Sequence, residues 1–193
     1  MIVVLGRPSI AVGPGGPRPT GLAAAIAQGI VAAGGRVELV GTVGDDANGD
    51  AVALGLARAG IGHAALLRVP AAATPVGGGD IAPPRLDASD VELGLRYLSD
   101  FRVLVVADDL PPDVAATASE AAAYSGAMVI VVLPAGGRAQ EAPAGATVLE
   151  APDDAEGPFA AAIGSYAVAL ESGRDPSVAL REAVGRAGWE PVA

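Results

Sequence analysis

The sequence predicts a three-layer α/β/α sandwich with a mostly parallel central sheet. Stretches typical of strands and of helices alternate along almost all of the 193 residues. The predicted strands, such as IVVLG and VLVVA, are continuous apolar runs, as in parallel strands that are buried on both faces. Right-handed crossovers then place helices on both faces of the sheet. No linker or internal repeat interrupts this pattern, so a single domain over 1–193 is expected.

The first half of the chain contains three predicted strands. MIVVLG is the first, and residues 7–20, which hold four prolines, are predicted to be a loop. GLAAAIAQGIVAAGG predicts a helix that ends at its last glycine pair, and RVELVGTVG predicts the next strand. DANGDAVALGLARAG predicts a helix with Asp46 as N-cap and Gly60 just past its end. HAALLRV predicts the third strand, and residues 70–86 a second loop rich in proline and glycine.

The second half continues in the same way. SDVELGLRYLSD contains a capping-box pattern from Ser89 to Glu92, followed by an amphipathic helix. FRVLVVA and MVIVVLP predict buried strands on either side of a helix that opens with Pro-Pro and ends at Gly126. TVLEA predicts a short strand. Two helices are expected after it, at about 158–172 and 176–187, and an Asp-Pro pair marks the start of the second.

The composition excludes several classes of function. The net charge of −10 and the pI of about 4.4 argue against nucleic acid and anionic membranes as partners. All 12 basic residues are arginine, which excludes a Schiff-base lysine and a P-loop lysine. The absence of cysteine excludes disulfides, thiolate zinc sites and cysteine nucleophiles, and the single histidine, His63, argues against a serine–histidine triad. No signal-peptide or membrane-spanning pattern is present, so a cytoplasmic protein is expected.

One stretch contains a specific motif. From Gly34 to Ile61, GGRVELVGTVGDDANGDAVALGLARAGI runs from a helix end through a strand into Val-Gly-x-Asp-x-x-Gly, a second helix and Gly-Ile. This order resembles the PfkB family of carbohydrate kinases, which have the ribokinase-like fold. The matching positions are Gly41, Gly44, Asp45, Asp46, Gly49, Leu56, Gly60 and Ile61. IVVLG, FRVLVVADDLP, MVIVVLP and the closing helix pair are similar to further elements of that family.

The resemblance implies transfer of the γ-phosphate of ATP, with Mg²⁺, to a hydroxyl group of a sugar or nucleoside. In the family an aspartate acts as base, and the amides of a Gly-Ala-Gly segment at a helix N-terminus stabilise the transferring phosphoryl group. This chain is shorter than such proteins usually are. A block is missing between VVLPAGG and TVLEAP, and we expect the lid strands that follow IVVLG in the family to be absent.

The segment DAEGPF matches the family's Gly-Ala-Gly-Asp-Ala-Phe at Phe159. Gly157 then stands at the position of the aspartate, where it has no side chain to accept a proton. Asp154 and Glu156 stand at the glycine positions and, with Asp153, place negative charge where a phosphate would bind. The next proline lacks one of the amides. We interpret Glu156 and Gly157 as the remnant of an anion hole.

Other polar positions of the family are also replaced. The aspartate that holds substrate hydroxyls corresponds to about Ala11, and the asparagine of the first Gly-Gly motif lies near Ala25. The Asn-x-x-Glu motif that helps to manage magnesium has no counterpart, because its segment is missing. The sequence therefore predicts a degenerate sugar-kinase homologue that retains no catalytic residue. No cofactor can be assigned to it from the sequence. Such a protein would bind a small molecule, sugar-like or nucleotide, or act in regulation or assembly.

Two glycine-rich or acidic stretches are candidate ligand contacts. In GPGGPRPTG, Gly15 and Gly16 allow close backbone approach, and Arg18 is the natural contact for an anion. A plain connection is the alternative that we favour for this stretch. Asp45 and Asp46 are candidates for contacting ligand or metal, although capping of the following helix is favoured.

Two further candidates follow the strand VLVVA. Asp108 and Asp109 lie where open α/β sheets bind ligands, and a site there is weighed evenly against a solvated turn. Trp189 is expected to anchor the C-terminal residues on the domain or on a partner.

Two other functions and one assembly state stay open. The first is an active sugar or nucleoside kinase that uses ATP and Mg²⁺, with Asp154 or Glu156 as the base. The second is a protein of another kind that binds a nucleotide passively. The alanine-rich surface and the expected absence of a lid also favour a homo-oligomer, since an apolar face would otherwise be exposed.

Overall fold

The computed structural model describes residues 1–77, 79–98, 100–134 and 142–186. The strands are β1 (Ile2–Leu5), β2 (Ser9–Gly13), β3 (Gly16–Thr20), β4 (Val37–Gly44), β5 (Leu66–Val69), β6 (Val103–Val106), β7 (Met128–Leu133) and β8 (Thr147–Glu150). The helices are α1 (Leu22–Ala32), α2 (Ala47–Arg58), α3 (Ala88–Arg96), α4 (Pro112–Ser125), α5 (Pro158–Glu171) and α6 (Pro176–Arg186).

Six of the strands form one parallel sheet in the order β5-β4-β1-β6-β7-β8. The central strand β1 pairs with β4 on one side and with β6 on the other, and all four of its residues are buried. Continuous apolar sequence is required here because helices cover both faces of the strand. The predicted three-layer sandwich with a mostly parallel sheet is confirmed.

The helices divide between two layers. Side chains of α1, α2, α5 and α6 pack on one face of the sheet, and side chains of α3 and α4 pack on the other. Aliphatic residues form most of both cores, and Phe101, Phe159 and Tyr166 are the buried aromatic residues among those described. In the described part of the chain, no helix is both long enough and apolar enough to cross a bilayer.

The prediction of a loop over residues 7–20 is wrong, and so is the expected absence of strands after IVVLG. β2 and β3 form an antiparallel hairpin whose turn is Pro14-Gly15. Pro17 and Pro19 do not prevent pairing, because both lie in β3, whose outer side pairs with no described strand and therefore needs no amide donor. The hairpin packs on α1 and α2, and Gln28 of α1 donates a hydrogen bond to the carbonyl oxygen of Pro19 at 3.3 Å.

The helix ends agree with most of the sequence signals. Gly126 ends α4 in the left-handed conformation, with φ of 63°. Asp175 accepts a hydrogen bond from the amide of Val178 at 3.0 Å, as expected of an N-cap. The capping box of α3 is present but shifted, because Asp87 and Asp90 form it in place of the predicted Ser89 and Glu92.

Helices α1 and α5 lie unusually close to each other. A Cβ atom at Gly164 of α5 would lie 2.5 Å from the backbone nitrogen of Ile30 in α1. A Cβ atom at Gly29 of α1 would lie 2.8 Å from the carbonyl oxygen of Ala160 in α5. Real Cβ atoms do not approach other atoms this closely, so glycine at both positions is what allows the two backbones to meet. This contact places the first turn of α5 beside the last turn of α1.

Candidate functional site at the carboxyl ends of the strands

The strand order reverses between β1 and β6. From β1 the chain builds the sheet outward through β4 to β5, and from β6 it builds in the opposite direction through β7 to β8. At such a reversal the two crossover connections leave on opposite faces, so a crevice opens outside the carboxyl ends of the two strands. Ligands of open α/β sheets bind in this crevice.

An ion pair occupies this position. Arg7 follows β1 and Asp108 follows β6, and the guanidinium group donates to the carboxylate through Nε at 2.6 Å and Nη2 at 2.8 Å. The backbone amide of Arg7 donates to the same carboxylate at 3.0 Å, and Nη2 also reaches the carbonyl oxygen of Asp109 at 3.3 Å. The two side chains are only 18% and 16% exposed. Asp108 is therefore held by the protein itself.

Arg7 was not among the residues predicted from the sequence. Hydrogen bonding to Asp108 raises the pKa of Arg7, against the opposing effect of burial. One signal in the sequence indicates the pair. Both residues come directly after predicted parallel strands, and the carboxyl ends of parallel strands lie at the same edge of a sheet.

Asp46 caps a helix, as favoured from the sequence. Its carboxylate accepts a hydrogen bond from the amide of Gly49 at 2.7 Å, and from the amide and hydroxyl of Thr74 at 2.9 Å and 2.8 Å. Burial acts to raise the pKa of Asp46, but these hydrogen bonds and the nearby Arg68 together lower it. Asp45 is exposed and donates its backbone amide to Val69. The Asp46 carboxylate therefore fixes the loop around Thr74 to the start of α2.

The glycines of the hairpin turn face open space. Nothing lies within 4 Å of a Cβ atom built at Gly15 or Gly16, and the side chain of Arg18 is exposed. The cleft at the start of α5 is lined by Leu22 and Asp153–Gly157, with no residue of the hairpin among them. The structure therefore does not bring Arg18 together with the segment that corresponds to the anion hole.

The start of α5 shows how its backbone amides are used. The amide of Gly157 donates to the carbonyl oxygen of Asp154 at 3.3 Å, and that of Ala160 donates to Ala155 at 3.1 Å. Ala161 donates to the carbonyl of Gly157, and proline at position 158 has no amide hydrogen. These amides are therefore bonded within their own turn and are not directed at the cleft.

The cleft itself is open and acidic. It has a volume of about 450 Å³, and the carboxylates that line it belong to Asp153, Asp154 and Glu156. All three residues are exposed, and no side chain caps the helix. Among the described residues, no three acidic or histidine side chains converge closely enough to hold a metal ion. Three carboxylates and no cation do not fit a phosphate group.

Comparison with solved structures identifies the architecture. The PfkB protein from Polaromonas sp. JS666 is 14% identical, with 96% of this chain and 94% of that chain covered and a TM-score of 0.67. A protein described as ribokinase II from E. coli is 15% identical, with coverage of 94% and 90% and a TM-score of 0.69. The chain has the ribokinase-like fold. A second structure of the E. coli protein is a complex with ATP and Mg²⁺. No family model matches this sequence, and no curated protein matches it.

Proposed function

We propose that this protein is a non-catalytic homologue of ribokinase-like sugar kinases that binds a small molecule without transferring phosphate. The start of α5 is the observation that carries this proposal. In a kinase of this fold, that helix end supplies amide donors and a carboxylate base. Here Gly157 offers no base, and Asp154 and Glu156 stand where the family has the glycines of its anion hole.

Charge supports the same conclusion. Asp153, Asp154 and Glu156 line the cleft in which a phosphate would bind, and no arginine lines it. A triphosphate there would meet three carboxylates and no compensating cation from the cleft. Arg7 follows β1 and does not line the cleft, and its Nε and Nη2 atoms are bonded to Asp108 and Asp109. The geometry therefore favours loss of phosphotransfer over a relocated catalytic centre.

An assay of phosphoryl transfer tests this proposal. The purified protein is incubated with ATP, Mg²⁺ and a panel of sugars and nucleosides, and ADP release is measured. We expect no release above the protein-free rate, and none from Gly157→Asp, because a restored carboxylate leaves Asp153, Asp154 and Glu156 in the cleft where the phosphate would bind. Turnover by the natural sequence that is abolished by Asp154→Ala or Glu156→Ala would establish the active kinase instead.

The binding part of the proposal has its own readout. A ligand that binds only the folded state raises the melting temperature, by an amount that grows with its concentration relative to Kd. A thermal-shift screen with sugars and nucleotides therefore separates retained sugar binding from passive nucleotide binding. If neither sugars nor nucleotides change the melting temperature, the ligand is neither a sugar nor a nucleotide.

We also propose that the chain is one domain that forms a homo-oligomer. Val12 in β2 and Leu54 in α2 are 70% and 51% exposed, and these two elements pack against each other. Apolar side chains on neighbouring elements favour a protein contact. Sedimentation of Val12→Asp should show a smaller species than the natural sequence. Tyr124→Asp, on the exposed face of α4, is the matched control. A monomer at high micromolar concentration for the natural sequence would refute this part.

A further inference from the structure

A half-open cavity of about 310 Å³ lies at the β8 edge of the sheet, between β8, α5 and α6. The cavity results from the way in which β8, α5 and α6 pack together. β8 is the edge strand among those described, and α6 packs against α5, so the three elements enclose a wedge of space. Its lining includes Leu149, Pro152, Phe159, Ile163, Tyr166 and Leu180.

The floor of this cavity is apolar and its main polar group is satisfied. The hydroxyl of Tyr166, which is 1% exposed, shares a hydrogen bond of 2.8 Å with the hydroxyl of Thr147. Water inside the cavity would therefore find few partners, and each molecule would lose hydrogen bonds that it makes in bulk solvent. Apolar cavities of about half this size bind neutral rings such as benzene for this reason.

Charge and volume narrow the class of ligand further. Glu150 belongs to the lining, and the chain carries a net charge of −10, so an anionic ligand is disfavoured. The volume lies at the lower end of the range for ligand pockets. It suits a bicyclic ring better than a nucleotide. We propose that this cavity binds a neutral, apolar ring molecule of about the size of indole, which rests on the non-catalytic binding function proposed above and gives it a place and a ligand class.

Calorimetric titration with indole and with indole-3-acetate tests this inference. The two probes share a ring, and only the second carries a negative charge. We expect indole to bind and indole-3-acetate to bind at least about tenfold more weakly, because its charge must enter an apolar and acidic surrounding. Equal affinity for both probes, or no binding of indole, would overturn the proposal.

Two matched variants locate the binding. Val184 lines the cavity from α6, whereas Val178 lies on the same helix, is 37% exposed and does not line it. Val184→Trp should weaken indole binding at least about tenfold, and Val178→Trp should leave it unchanged. If Val184→Trp does not fold, Leu180→Ala takes its place, since an enlarged cavity should improve the binding of 2-naphthol relative to indole. A Leu180→Ala protein with an unchanged ratio would contradict the assignment.

The remaining outcomes separate this inference from the proposed function. A thermal shift with a sugar or nucleotide, together with no binding of indole, would retain the function and refute the cavity as its site. Release of ADP would refute the proposed non-catalytic function, and the indole titration would then test the cavity independently of it. Binding of indole only after Trp189→Ala would show that the chain's own C-terminal residues fill the cavity, and would overturn the proposal. Trp189 lies outside the described residues.

Discussion

The close contact between α1 and α5 predicts that replacing glycine by alanine has opposite effects on stability at two positions. Gly164→Ala should destabilise the protein, and Gly185→Ala should stabilise it. In Gly164→Ala the new methyl group would lie 2.5 Å from the nitrogen of Ile30 and 2.9 Å from the Cα of Gly29. Both neighbours are backbone atoms, so no change of rotamer relieves the overlap. The helices must instead separate by about 1 Å, which forfeits a quarter to a half of the dispersion energy of each affected contact.

The change in the free energy of unfolding caused by Gly164→Ala combines two opposing contributions. Overpacking of a dense core costs about 1–3 kcal/mol, and the upper end applies because backbone is displaced. Alanine is favoured over glycine in a helix by about 1 kcal/mol. The net loss in the free energy of unfolding is therefore about 2 kcal/mol. For a chain of this length it corresponds to a melting temperature lower by about 4–8 °C.

Gly185→Ala provides the matched control. Gly185 lies in α6, is exposed, and has nothing within 4 Å of a Cβ atom built on it. This variant should gain up to about 1 kcal/mol, because only the helix-propensity term applies. Both variants are compared with the natural sequence by urea unfolding and by thermal melting followed with circular dichroism. A Gly164→Ala protein at least as stable as the natural sequence would refute the close approach of α1 and α5.

Three further predictions concern polar groups that the fold holds in place. Asp46→Ala should cost about 1–3 kcal/mol, since it removes a helix cap and leaves the amide and hydroxyl protons of the buried Thr74 without an acceptor. Because the pKa of Asp46 is lowered in the folded protein, its contribution is complete above the carboxyl's unfolded pKa of about 3.9 and is lost as the pH falls through the folded value. The difference in urea midpoint between the two proteins should therefore shrink below about pH 4. Arg7→Met and Asp108→Leu should each lower the free energy of unfolding, and the double variant should lose less than the sum of the two single losses. A coupling energy below about 0.5 kcal/mol in a double-mutant cycle would contradict the bidentate pair. Tyr166→Phe should lower the free energy of unfolding by about 0.5–1.5 kcal/mol, measured by chemical denaturation, through loss of one hydrogen bond.

The parallel sheet could be predicted from the sequence because its signals are local and repeated. IVVLG and VLVVA are apolar at every position, which is what a strand covered on both faces requires. The hairpin could not be predicted in the same way. Prolines such as Pro17 and Pro19 normally indicate a loop, and only the absence of a third strand makes them acceptable in β3.

At the candidate site, the residue types at the start of α5 can be read from the sequence, but neither the part played by Arg7 nor the bonding of the turn can. The sequence shows that Gly157 stands where a base is expected, and this depends only on residue identity. Whether the amide of Ala160 faces a ligand or bonds to Ala155 depends on the path of the turn, which no residue type specifies. Likewise, the sequence makes Asp108 a candidate ligand contact, but it does not show that Arg7, 101 positions earlier in the chain, binds its carboxylate.

The central place of β1 also has a consequence for how the protein is made. This strand leaves the ribosome before both of its neighbours, β4 and β6, which end at Gly44 and Val106. Until β6 is available, a nascent chain can pair β1 on one side only and presents a fully apolar open edge. Unpaired apolar edges promote aggregation of folding intermediates. The interval between the synthesis of β1 and that of β6 is therefore one in which this edge is open to aggregation.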